Sequence, residues 1–179
     1  MLRHLRGTAA WALVLGAAAA ALGFSGYAGR DPDSTAYAGI SARLAVMPLS
    51  TWLVPQWWGV WNFEGPFREH PIGILVLPAL LARAGFPAEQ AAYAVGAVAS
   101  ALAVLMIGRV AAFAARPYEA TAAVWAALML PVAFVYRVRA NQEYPVLILL
   151  LAALYATERS RTRPPWILGV ILASVGLFL

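Results

Sequence analysis

The sequence has 179 residues, of which 63% are hydrophobic and 12% charged, and its net charge of +5 rests on arginine alone, since there is no lysine. A soluble domain holds about 25% charged and 45–50% apolar residues, so this composition excludes an ordinary water-soluble globule and points to an integral membrane protein. The absence of cysteine excludes disulfides, thiolate metal sites and cysteine nucleophiles, and the isolation of His4 and His70 excludes a multi-histidine metal site.

The N-terminal stretch carries Arg3 and Arg6, then an apolar run from Thr8 to Phe24. A basic start before an apolar centre also fits a cleaved signal peptide, but the run is long and more apolar runs follow. An uncleaved first transmembrane helix over about 8–26 is expected, with its arginine end cytoplasmic.

Residues 27–88 read as a long outer loop with surface helices. Tyr27 to Glu69 holds half of the acidic residues, together with Trp52, Trp57, Trp58 and Trp61. Tryptophan favours the lipid headgroup level, which suggests a segment lying along the membrane surface. Within it, "DPDSTAYAGISARLAVMP" predicts a short helix. Asp31 suits the N-cap, Pro32 the first helical position and Asp33 the first turn, where the helix dipole favours negative charge. Tyr37, Ile40 and Leu44 form an apolar stripe, and Pro48 stops the helix near Met47. An amphipathic, membrane-hugging helix is the expectation. "PIGILVLPALLA", broken by Pro78 and closed by Arg83, Gly85 and Pro87, is short enough to be interfacial or re-entrant.

Further crossings are expected over about 90–113, 119–136 and 143–158, and another begins near 165. The chain stops inside that last apolar run, so it reads as the N-terminal part of a longer protein. Parity orders the sides. If 71–83 does not span, Arg109, Arg116, Arg159, Arg161 and Arg163 join Arg3 and Arg6 in the cytoplasm, as the positive-inside bias prefers. The acidic loop and "RVRANQEYP" then share the outer side, where Asp33, Glu64 and Glu143 can meet. Arginines scattered between apolar runs are topology signals and speak against nucleic acid as a partner.

Each candidate has a plain role and a chemical one. Asp31 caps a helix. Asp33 can do the same, act as general base toward an acceptor hydroxyl, or help bind a divalent metal. Glu64, between aromatics and a Gly-Pro turn, is a solvated loop residue or a binding group. Glu143 either stabilises a helix start or serves the site. Arg137 and Arg139 snorkel to headgroups or bind a phosphate with their planar forks. His70 is an interfacial histidine or a proton donor. There is no Walker lysine and no glycine-rich fingerprint, so no nucleotide cofactor is expected. An enzyme acting outside the cytoplasm would then need an activated donor delivered in the membrane, such as a sugar on a lipid phosphate.

These residues resemble a family, the GT-C membrane glycosyltransferases, in the branch holding protein O-mannosyltransferases and lipid A aminoarabinose transferases. "DPDSTAYA" is similar to the first-loop acidic motif, with Tyr37 four residues after Asp33. "WLVPQWWGVWNFEGP" resembles the stretch that carries an acidic residue at Glu64, and "EHPIG" the His-Pro segment before the next crossing. "RVRANQEYP" resembles the second outer loop, with Glu143 two positions before Pro145. Relatives often have Asp-Glu where this chain has Asp33-Ser34, and two prolines where one follows His70.

The resemblance implies an all-α GT-C-type transmembrane bundle whose long first extracytoplasmic loop carries juxtamembrane helices. It implies transfer of a sugar from a polyprenyl-phosphate donor to an acceptor lipid, glycan or protein. Asp33 would be the base, and Asp31, Tyr37, Glu64, His70 and Glu143 would bind donor or acceptor. Arg137 and Arg139 would neutralise the phosphate leaving group, and any metal would fall to Asp33, Glu64 and Glu143. The competing readings are a transporter or flippase of polyprenyl-linked sugars and a non-catalytic membrane subunit. Transporters place polar groups near the bilayer midplane, whereas here they gather at one surface.

Overall fold

The computed structural model describes residues 10–12, 14–18, 21, 32–68, 72–114, 119, 122, 124–126, 140 and 143–178. The chain is all-α: helix dominates, and no strand occurs among the described residues. Helix α1 covers Pro32–Val46, α2 Gly73–Arg83, α3 Ala88–Ala114, α4 Glu143–Ser160 and α5 Ile167–Phe178. Among the described residues only α3 is long and apolar enough to cross a membrane, over Ala88–Phe113. It coincides with the crossing expected at 90–113.

Helix α2 has 11 residues. At 1.5 Å per residue it rises about 16 Å, roughly half of a ~30 Å hydrocarbon core, so it is too short to span. Its end is set by Gly85, whose φ of +102° closes a Schellman motif: Phe86 N–H donates to Leu81 O and Gly85 N–H to Ala82 O. The crossing expected at 119–136 falls largely outside the described residues. Of the first crossing, 10–12 and 14–18 are helical. They lie tightly on α3, where a Cβ at Gly16 would come within 2.9 Å of Ala101 Cβ.

Helix α1 differs from the one-sided surface helix expected. Tyr37, Ile40 and Leu44 are buried as the stripe predicts, but so are Ser34, Ala36, Ala38, Ser41 and Ala45, which extends burial over more than half of the circumference. The reason is size. Small residues beside the stripe carry little hydrophobic signal, yet they let neighbouring backbones come close. Ser41 Oγ donates to Leu75 O at 3.2 Å, and Arg83 Nη1 donates to Met47 O at 3.4 Å, so α1 and α2 run side by side in the same direction.

The connection between them contains a narrow hairpin. Phe67 N–H donates to Pro55 O, Trp57 N–H to Gly65 O and Gly59 N–H to Phe63 O, at 2.8, 2.9 and 2.9 Å. Its tip turns through left-handed backbone at Trp58, Gly59, Trp61 and Asn62, with φ of 49°, 77°, 55° and 63°. That conformation is rare for bulky side chains and is strained at the tryptophans. Packing holds it. Trp57 lies 4.8 Å from Phe67, 5.1 Å from Phe63 and 6.0 Å from Trp61, centroid to centroid, and Phe67 meets Tyr37 edge to face at 6.4 Å.

The tryptophans therefore do not all serve the lipid headgroups. Trp52 and Trp57 are buried with Ile40, Leu44, Leu75 and Ala79 in one protein core, while Trp61 stays exposed. The Trp52 indole N–H has no acceptor among the described residues.

At the far end of α3 a second aromatic group forms. Tyr155 stacks near Phe113 at 5.1 Å and Trp166 at 5.6 Å, and the Arg159 guanidinium lies 5.4 Å from the Phe113 ring centroid. These contacts tie the ends of α3 and α4 to the start of α5.

Candidate functional site

The site is defined where α1, α3 and the residues before α4 converge. The backbone N–H of Ala140 donates to Ser34 Oγ at 3.0 Å, a buried bond across 106 residues of sequence. Ala140 also packs with Ala38, Ala92 and Tyr93. Ser34 follows Asp33 directly and Ala140 precedes Glu143 by three positions. The bond therefore draws together the two acidic segments that the sequence separates most widely. Alanine and serine make this possible, because any larger side chain at 34, 38, 92 or 140 would hold the backbones apart.

Asp33 lies exposed in the first turn of α1. It heads the same helical line as Tyr37, Ile40 and Leu44, at spacings of four, seven and eleven, so it crowns the buried face at its open end. Tyr37, one turn on, is buried against Phe67. Its ring contact ties α1 to the hairpin.

Glu64 is exposed on the hairpin, and its Oε1 lies 3.6 Å from where a Cβ of Gly59 would stand. The adjoining tip inserts Val60 toward Gly39, where a Cβ would be 3.3 Å from Val60 Cγ2. Gly39 is six residues from Asp33, under two helical turns. Glu64 thus belongs to an element docked on the Asp33 helix. Glu143 is exposed and opens α4. Asp31, His70, Arg137 and Arg139 lie outside the described residues.

Among the described residues there is no group of three or more His, Asp or Glu able to hold a metal, so Asp33, Glu64 and Glu143 do not form a ligand set. An apolar groove of about 530 Å³ begins beside the convergence point. Ile74 and Leu77 of α2, Val98 and Leu102 of α3, and Pro145 and Leu149 of α4 contribute its walls. A void of only about 20 Å³, bounded by Tyr37, Ala140 and Pro145, lies next to it.

Sequence reading missed Ser34 and Gly39. The available signal was a small residue next to an apolar stripe, which marks close approach once a partner is known. Comparison with family models, curated proteins and solved structures finds no match for the chain.

Proposed function

We propose that the chain belongs to a multi-pass GT-C-type membrane glycosyltransferase that uses a polyprenyl-phosphate-linked sugar on the extracytoplasmic side. The observation that carries this reading is the Ala140–Ser34 hydrogen bond, which joins the Asp33 and Glu143 segments at one end of the bundle. The apolar groove that includes Pro145 and Ile74 supports it, being lined by aliphatic side chains suited to an isoprenoid tail.

In this reading the Asp33 carboxylate accepts the proton of an acceptor hydroxyl. The acceptor oxygen attacks the anomeric carbon, and the bond from that carbon to the polyprenyl phosphate oxygen breaks. The phosphate leaves with the bonding electrons, and Arg137 or Arg139 balances its charge. Glu64 and Glu143 orient acceptor and donor. No step requires a metal.

Single-cysteine labelling in intact cells tests the topology on which everything else depends, and the absence of native cysteine makes it clean. Thr35, which is exposed, probes the first loop. Cysteines at Thr35, Gly65 and Gln142 are expected to react with a membrane-impermeant thiol reagent, and one at Ser160 is not. Protection of Gln142 with labelling of Ser160 would divide the acidic residues between two sides and replace this reading with the transporter.

A further inference from the structure

The end of α1 and the loop after it present an apolar knob. Val46, Leu49, Leu53 and Val54 are 78%, 63%, 73% and 55% exposed, although all four are large aliphatic residues within nine positions of one another. The knob has a fixed shape. Thr51, Trp52 and Val54 donate backbone N–H groups to Pro48, Leu49 and Thr51, and the neighbouring Trp52 side chain is buried in the core as its root. Exposed apolar surface held this rigidly marks an interaction site.

Its surroundings carry one sign of charge. Between Asp33 and Glu64 the only charged residue is Arg43, which lies exposed one turn before Val46. Arg83 reaches the same end of α1 through its bond to Met47 O, adjacent to Val46. One N–H of its guanidinium serves that carbonyl, which leaves the rest of the fork outward. Among the described residues, no carboxylate pairs with either arginine. Arg83 also stands five residues before Ala88, where the membrane-length helix α3 begins, so the knob sits at the level at which that helix would enter a bilayer.

We infer that this knob docks into an anionic lipid leaflet, its aliphatic side chains entering the acyl boundary and Arg43 and Arg83 holding lipid phosphates. Apolar side chains flanked by cations are the composition that lies in an interface and favours anionic lipid. A bilayer accepts such a knob without a shape-matched cleft, whereas a protein partner would have to supply carboxylates opposite both arginines. Docking here fixes the C-terminal ends of α1 and α2 at the interface and leaves the Asp33 end free for substrate. The inference rests on the membrane placement in the proposed function and not on its sugar chemistry.

The test uses the full chain with Leu53→Cys carrying an environment-sensitive nitrobenzoxadiazole label. It is reconstituted in phosphatidylcholine vesicles with or without phosphatidylglycerol, plus a lipid bearing a headgroup-level nitroxide quencher. A label at Val98→Cys on α3, read with a deep acyl-chain quencher, reports membrane placement separately. The Leu53 label is expected to be blue-shifted and quenched, more strongly with phosphatidylglycerol. Arg43→Gln and Arg83→Gln should each lower the docked-to-undocked ratio by about fivefold, with the lysine variants retaining docking.

A Leu53 label that stays in water while Val98 is quenched overturns the docking surface and leaves the membrane placement standing. If neither position is quenched, the placement fails and the knob with it. Equal quenching in both vesicles, unaltered by the glutamine variants, overturns the anionic preference. Protection that rises with the protein-to-lipid ratio assigns the knob to a second copy and overturns the lipid.

Discussion

Ala140 and Ser34 meet through one buried hydrogen bond of 3.0 Å, backbone amide to side-chain hydroxyl. Neither residue has a titratable group, yet their contact ties the helix that carries Asp33 to the segment just before Glu143. A site of dispersed carboxylates is here organised by two of the smallest side chains in the chain.

Ser34→Ala removes the acceptor and leaves a buried N–H without its partner. The expected loss of stability is about 1–3 kcal/mol. Limited proteolysis around residues 137–143 should quicken at the same time. Unchanged proteolysis and unchanged unfolding would mean that other packing holds Ala140 in place.

Gly39 accommodates Val60 at a distance that a Cβ would shorten to 3.3 Å. Alanine in a helix interior is favoured over glycine by about 0.5–1 kcal/mol, but the strained tip behind Val60 resists the shift that alanine would demand. Gly39→Ala is expected to destabilise the native chain and to stabilise a Val60→Ala background. Thermal unfolding of the four members of this cycle measures the coupling. Additive effects would show that the tip moves freely.

Asp33→Asn preserves volume and helix capping while removing the base. Transfer from a polyprenyl-phosphate sugar by the full-length protein should fall by roughly 10²–10⁴-fold, with unfolding unaltered. Normal transfer by this variant would end the assignment of Asp33 as base and leave it a helix-capping residue.

Val98 is 59% exposed and forms part of the groove wall. Val98→Trp narrows the groove without touching the acidic end. Long-chain polyprenyl donors should then show a raised KM with little change in kcat, and short-chain donors should be spared. A change in kcat alone, independent of chain length, would argue against the groove as the tail site.

Local periodicity made part of this fold legible. The Tyr37, Ile40, Leu44 stripe became core, Pro48 marks the point beyond which α1 does not continue, and the uncharged run Ala91–Gly108 lies in the longest helix among the described residues. Gly85 marks the end of α2, whereas Pro78, read as a break, lies inside the helix without interrupting it. What sequence could not convey was where the tryptophans point. The burial of Trp57 and Phe67 depends on a hairpin whose turns are made by Trp58, Trp61 and Asn62 in left-handed backbone, and those residue types carry no signal for it. The acidic candidates were visible as charges in an apolar chain. The contacts between their segments were not, because these depend on Ser34, Gly39 and Ala140, whose only property is being small.

The aromatic core around Trp57 draws every member from between Ala36 and Ala79. Such local contacts close early and at low entropic cost, whereas the Ala140–Ser34 bond spans 106 residues. Pulse-labelled hydrogen exchange during refolding should therefore protect α1, the hairpin and α2 before the Ala140 amide. During synthesis, the helix that presents Asp33 would stand complete while its counterpart was still unmade. Competence would arrive as a single late event, when the chain past α3 returns and latches onto a platform that has been waiting for it.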